Sequence, residues 1–183
     1  MRLDISHTFS SKHNDIVLIA TEYDEPNYGR FHWKYQFLIN NTLVENQHMN
    51  YKYGGLFGNL NNFCLESKDG NHIFLPLEKN PLIYEPNEDN YFEISDVATG
   101  KNNGFLKNIF IEDKLFILCQ RSVQIVNLIN KRVQSILFPV NQFQLEDMEY
   151  NQKLLISYLN LKDSNKSKGY YDFESMNFKD IQS

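Results

Sequence analysis

The chain has 183 residues, a length that fits one domain, and its 42% hydrophobic content supports a sizeable core and excludes wholesale disorder. The net charge of −5 comes with few, scattered basic residues. Duplex nucleic acid is recognised through clustered Lys and Arg, so it is not expected as a partner.

Composition leans towards strands. Aromatic residues make up 14% of the chain, with 14 Phe and 11 Tyr, and the only alanines are Ala20 and Ala98. Aromatic and β-branched residues favour extended backbone, whereas alanine is the best helix former.

In chain order, the N-terminus Met1-Arg2-Leu3-Asp4 has no apolar leader-like run, so cytoplasmic residence is the default expectation. No stretch approaches the ~18 apolar residues of a membrane span, so no membrane partner is expected. Residues 15–23 hold the apolar run Ile16-Val17-Leu18-Ile19. In 31–40, Trp33, Tyr35, Phe37 and Ile39 alternate at a spacing of two and predict one apolar sheet face. Asn40-Asn41 predicts a turn into Thr42-Leu43-Val44. Residues 60–66 and 72–77 flank Ser67-Lys68-Asp69-Gly70-Asn71, which has hairpin-turn chemistry. Pro81, Pro86 and Asn87 to Asn90 mark a loop, 96–99 a turn or single helical turn, and 100–104 another loop.

The segment 105–139 carries the clearest pattern. Strands at 105–111, 115–120, 123–128 and 133–138 are separated by tight turns at Glu112-Asp113-Lys114, Arg121-Ser122 and Asn130-Lys131. Four short strands joined this way make an antiparallel meander. Lys114-Leu115-Phe116-Ile117, Val123-Gln124-Ile125-Val126-Asn127-Leu128 and Lys131-Arg132-Val133-Gln134-Ser135-Ile136 resemble the strands and turns of a β-propeller blade repeat. Lys153-Leu154-Leu155-Ile156 and 170–175 echo it about one blade later, and 16–39 with 63–75 supply two further candidate units. The resemblance implies an all-β, propeller-like fold, small or incomplete. A β-sandwich or curved meander is equally compatible, in a single domain over 1–183. Residues 146–150 are expected to form a short helix or a connecting loop.

Chemistry-bearing constellations are sparse. His7, His13, His32, His48 and His72 form no HxH or HExxH spacing, so no metal site is expected. The glycines at 54, 55 and 58 lack the helix start and Lys-Ser/Thr of a phosphate loop. Cys64 and Cys119 lie in apolar runs and are expected to be buried thiols. There is no GxSxG nucleophile elbow, and neither an enzyme nor a cofactor is expected.

Acidic clusters stand at Asp24-Glu25, at Glu85, Glu88 and Asp89, and at Glu146, Asp147 and Glu149. Aromatics flank the first two. Aromatic anchors with a charged rim are how protein interfaces gain affinity and steering. Asp24, Glu25, Tyr28, Phe31, Glu85, Glu88, Asp89 and Tyr91 are therefore the candidate partner-binding residues. A small, acidic, cysteine-poor β domain without a catalytic motif, rich in Asn and Lys, resembles in type the bacterial toxin-neutralising immunity proteins. That resemblance implies a one-to-one complex in which loops 22–31 and 84–92 mask a toxin's active site. The alternatives are a scaffold or assembly subunit with a blade-like interaction surface, and a small-ligand-binding β domain.

Overall fold

The computed structural model describes residues 4–9, 11–25, 30–44, 64–76, 81–94, 105–138, 142–175 and 177–180. Within them every regular element is a strand, so the all-β expectation holds. Tyr28, the glycines at 54–58, the turn expected at 96–99 and the loop at 100–104 lie outside the described residues.

The chain divides into two compact units, Met1–Phe57 with Leu65–Ser95 and Gly58–Cys64 with Asp96–Ser183. The first holds two sheets. One is β1 (Asp4–Phe9), β2 (Ile16–Glu25), β3 (Arg30–Ile39) and β4 (Thr42–Val44), paired in that order. The other is β5 (Ile73–Leu75), β6 (Leu82–Glu85) and β7 (Asn90–Glu93). The alternation predicted along β3 is realised at its end, where Phe37 and Ile39 are buried opposite Leu18 and Ile16. The Asn40-Asn41 turn is also as expected. Both residues take positive φ, 50° and 64°, the left-handed backbone that a tight two-residue hairpin demands and that Asn tolerates.

The second unit also holds two sheets, each a four-strand meander. The first is β8 (Phe105–Ile111), β9 (Lys114–Cys119), β10 (Ser122–Asn127) and β11 (Val133–Leu137). These are the strands read from the sequence, within a residue or two. β9 reads Lys-Leu-Phe-Ile-Leu-Cys and is buried from its second residue on, because a central strand covered on both faces needs no alternation. The second sheet is β12 (Phe143–Asn151), β13 (Lys153–Asn160), β14 (Lys166–Asp172) and β15 (Asn177–Asp180). On β13, Leu154, Ile156 and Tyr158 alternate inward.

The two sheets share one apolar layer. Phe116, Leu118, Val123 and Ile125 from the first meet Leu145, Met148, Leu154, Ile156, Tyr158 and Tyr171 from the second. Burying each such side chain contributes roughly 1.5–3 kcal/mol. Gly169 on β14 belongs to this layer for a steric reason. A Cβ there would lie 2.0 Å from Cζ of Phe178, so glycine is what allows that ring to cover the strand. Four sequential antiparallel meanders among the described residues are compatible with a blade-like repeat.

Two expectations are corrected. Residues 146–150 form neither a helix nor a loop but the middle of β12. Their polar side chains face solvent while Leu145 and Met148 face the core, and a bulge between Leu145 and Asp147 accommodates that spacing of three. Lysines neutralise the acidic run. Asp147 pairs with Lys107 at 2.9 Å, Glu146 with Lys166 at 2.8 Å and Glu149 with Lys168 at 3.2 Å. Cys119 is buried as expected, and burial pushes its thiol up to about 11. Cys64, in contrast, is exposed. Its segment is held by backbone rather than side chain: the Asn108 amide accepts from the Cys64 N–H at 3.0 Å and donates to its carbonyl at 2.6 Å.

Candidate functional site

The candidate partner-binding residues that are described fall on two hairpins of the first unit. Asp24 and Glu25 end β2, where Asp24 pairs with Phe31 and Glu25 with Arg30 across the hairpin. Glu85, Glu88, Asp89 and Tyr91 share the β6–β7 hairpin. Glu85 is buried, with His72 Nε2 at 3.8 Å from its Oε1. Glu88 and Asp89 are exposed in the turn, and Tyr91 is 36% exposed. Asp89 accepts the Tyr84 hydroxyl at 2.7 Å, and burial together with that bond pushes the Tyr84 phenol up to about 12.

A second feature, which the sequence did not suggest, lies in the other unit. The apolar layer between its two sheets does not close at one end. A cleft of about 340 Å³ opens there, within the range of small-molecule sites. Ile125 and Val133 supply an aliphatic wall, and Tyr171 and Phe173 an aromatic one. The polar lining comes from Lys114, Asn127, Asn130, Arg132 and Gln134.

Strand register explains why these residues meet. Lys114 opens β9 directly opposite Asn127, the end of β10, and Gln134 on β11 lies opposite Ile125. Side chains two apart on a strand share a face. Asn127 therefore continues the face of Ile125, and Lys114 that of Phe116. Where apolar residues stop and polar ones take over on that shared face, the layer changes from core to cleft.

The cleft wall is held in place by its turns. Asn127 Oδ1 accepts the N–H groups of Ile129 and Asn130, both at 3.0 Å, and Asn130 Oδ1 accepts that of Arg132 at 3.0 Å. The Leu128 N–H donates to the Asp113 carbonyl at 2.8 Å, tying this turn to the neighbouring one. On the aromatic side, the Asp172 carboxylate accepts the N–H groups of Glu174 and Ser175 and pairs with Lys179, which holds it well below the usual carboxylate range. That turn sets Phe173 edge-on to both Phe116 and Tyr171, with ring centroids 5.5 and 5.4 Å away.

The electrostatics of the cleft are one-sided. Its lining holds two cations and no carboxylate. Lys114 is tied to Asp113 at 2.8 Å, whereas Arg132 is exposed and has no carboxylate partner among the described residues. Burial pushes the Tyr171 phenol up, against a hydrogen bond with Gln134 that draws it down. Among the described residues, no group of three or more His, Cys, Asp or Glu is arranged to hold a metal ion.

Part of this cleft was legible. The Asn130-Lys131 turn follows from the sequence, but as a connection rather than a wall. Tyr171 and Phe173 come from some forty residues later, and no local pattern brings them to it.

No protein-family model matches the chain, and no curated protein matches it. Among solved structures, the chain is similar to the extracellular domain of BT4673 from B. thetaiotaomicron, assigned as a one-component system. The TM-score is 0.52 at 13% identity, over 97% of this chain and 30% of that one. A second structure of that extracellular domain, assigned to a hybrid two-component system, gives 0.49 at 14% identity over 96% and 29%. The chain thus spans under a third of the neighbour's length, and at this identity the likeness is one of fold.

The expectation of cytoplasmic residence is corrected by the fold likeness to a solved extracellular domain. The physical reason is that a buried β core has the same composition on either side of a membrane. No described helix is long and apolar enough to cross a membrane. The resemblance to immunity proteins finds no support in the comparisons.

Proposed function

We propose that this chain is a non-catalytic, ligand-binding β module whose site is the cleft between the β8–β11 and β12–β15 sheets. The observation that carries the reading is the cleft's construction. A concave, partly apolar space with a few polar groups fixed by turn hydrogen bonds is what small-molecule recognition requires, because preorganised groups lose little entropy on binding. Absence of catalysis is part of the proposal: the cleft lining holds no carboxylate, histidine, cysteine or serine that could act as a base or nucleophile. The fold likeness to an extracellular domain of a sensing system points the same way and suggests placement outside the cytoplasm.

The test is a ligand-observed NMR screen of a small-molecule library, repeated on Asn130→Trp, which fills the cleft mouth from an exposed turn. Hits that bind the wild type and vanish in the variant support the reading. An absence of hits at millimolar concentration, or hits indifferent to the substitution, would sink it.

A second reading, binding of a protein partner, rests on Tyr91, exposed beside Glu88 and Asp89. Capture of one protein that is lost in Tyr91→Ala but kept in Asn130→Trp favours it over the cleft. A toxin-neutralising role would be one special case of that reading.

A further inference from the structure

We infer that the cleft takes a small ring compound carrying a carboxylate, held by Arg132 and the turn amides at one end and by Phe173 and Val133 at the other. This deepens the ligand-binding reading and rests on it.

Asn127 Oδ1 accepts two backbone N–H groups and Asn130 Oδ1 accepts a third. Their Nδ2 groups have no protein acceptor among the described residues. Lys114 and Arg132 carry donors only. The uncommitted side-chain atoms of Lys114, Asn127, Asn130 and Arg132 are all donors, against a single amide oxygen on Gln134, and such a lining is complementary to a ligand end made of acceptors.

Charge narrows this further. No carboxylate lines the cleft, and the Arg132 guanidinium has no carboxylate partner among the described residues. A guanidinium presents two parallel N–H groups that match the two oxygens of a carboxylate. Lys114 is already tied to Asp113, so it adds positive potential rather than a second full contact.

The other end is apolar. Phe173 and Val133, both half-buried, offer surface that suits the face of a flat or chair-shaped ring, with the buried Tyr171 and Ile125 packed behind them. A volume of about 340 Å³ holds one ring with short substituents and is too small for a long chain. An aromatic acid and a sugar acid share this chemistry: a carboxylate on a ring with an apolar face.

The experiment uses isothermal titration of the full chain with two matched pairs, phenylacetate against phenylacetamide and glucuronate against glucose. At least one acid is expected to bind tenfold or more tightly than its neutral counterpart. That preference should fall about tenfold in Arg132→Gln, recover only in part in Arg132→Lys, and shrink with added salt. Lys114→Gln should weaken binding two- to threefold. It carries the test if Arg132→Gln fails to fold. Preference for phenylacetate assigns an aromatic ring, and preference for glucuronate a sugar ring. Neutral compounds that bind as tightly as the acids overturn the carboxylate inference while leaving the binding reading standing. Acids indifferent to Arg132→Gln also overturn it. If none of the four probes binds but the library screen gives cleft hits, the ligand class is wrong. If neither gives binding, the ligand-binding reading itself falls.

Discussion

Both units of this chain bury apolar side chains, but the first adds a polar fastening of its loops. In the β8–β15 unit, two sheets are held by a continuous layer of buried aliphatic and aromatic side chains. In the first unit, the turn around residue 66 is fastened to the β1–β2 loop by a carboxylate. Glu66 accepts the backbone N–H groups of Lys12 at 2.9 Å and His13 at 3.1 Å, and the Asn14 amide at 2.6 Å. Asn14 also donates to the Gly70 carbonyl and accepts from Asn40, which caps Asp15 in turn. The lesson concerns robustness. Apolar layers lose stability atom by atom and are indifferent to pH, whereas a loop hung on one ionised group responds to a proton.

The largest expected effect tests the apolar side. Phe116→Ala removes a fully buried ring that also supports Phe173. It should cost about 3–5 kcal/mol. Hydrogen exchange should rise across β8–β15 and leave β1–β7 unchanged. An equal rise in both units would break the comparison.

Next comes Gly169→Ala, which drives a methyl group into the Phe178 ring. Overpacking of this kind should cost about 1–3 kcal/mol in denaturant unfolding. The double variant with Phe178→Leu should regain part of that loss. Full tolerance of the alanine would show that the ring moves aside freely.

The polar fastening is probed by Glu66→Gln, expected to cost about 1–2 kcal/mol because the backbone bonds from Lys12 and His13 become neutral ones and the bond from the Asn14 amide meets a donor, at a partly solvated site. Burial pushes the Glu66 carboxyl up, but hydrogen bonds from Asn14, Lys12, His13 and Ser11 outweigh it, and its pKa lies below the ordinary 4.5. A depressed folded-state pKa adds stability that is fully present well above 4.5 and is lost as pH falls through the folded value. Protection against exchange, relative to the intrinsic amide rate, should therefore fall in the first unit below about pH 4.5 in the wild type and show a flatter acid profile in Glu66→Gln. Identical profiles would remove Glu66 as the acid-sensitive fastener.

The smallest effect is expected from Lys168→Ala. Its pair with Glu149 spans 3.2 Å between side chains more than half exposed. Removal should change stability by less than about 0.5 kcal/mol. A larger loss would mean that the charges along β12 act as a network rather than as solvated pairs.

The same contrast explains what could be read early. The 105–139 meander was legible because its signals are local: short apolar runs, and turns built from residues such as Glu112-Asp113 and Asn130-Lys131. The nature of 146–150 was not, because three acidic residues around one methionine look like a loop until a bulge and three lysines from elsewhere settle them in a strand. Cys64 misled for a similar reason. Its apolar neighbours suggest burial, but the contact that fixes it is a backbone bond to Asn108, forty-four residues away.

By itself, the sequence determined that the chain is all-β, where the strands of the 105–139 meander lie and which residues turn the chain, since alternation and turn chemistry act over a few residues. Only the tertiary structure decided where the apolar layer between two sheets ends. That boundary depends on how Lys114, Asn127 and Arg132 from one sheet meet Tyr171 and Phe173 from the next. Strand pairing within a sheet is a matter of neighbours, but a cleft between sheets is a matter of distance in the chain, and no short window of residues contains it.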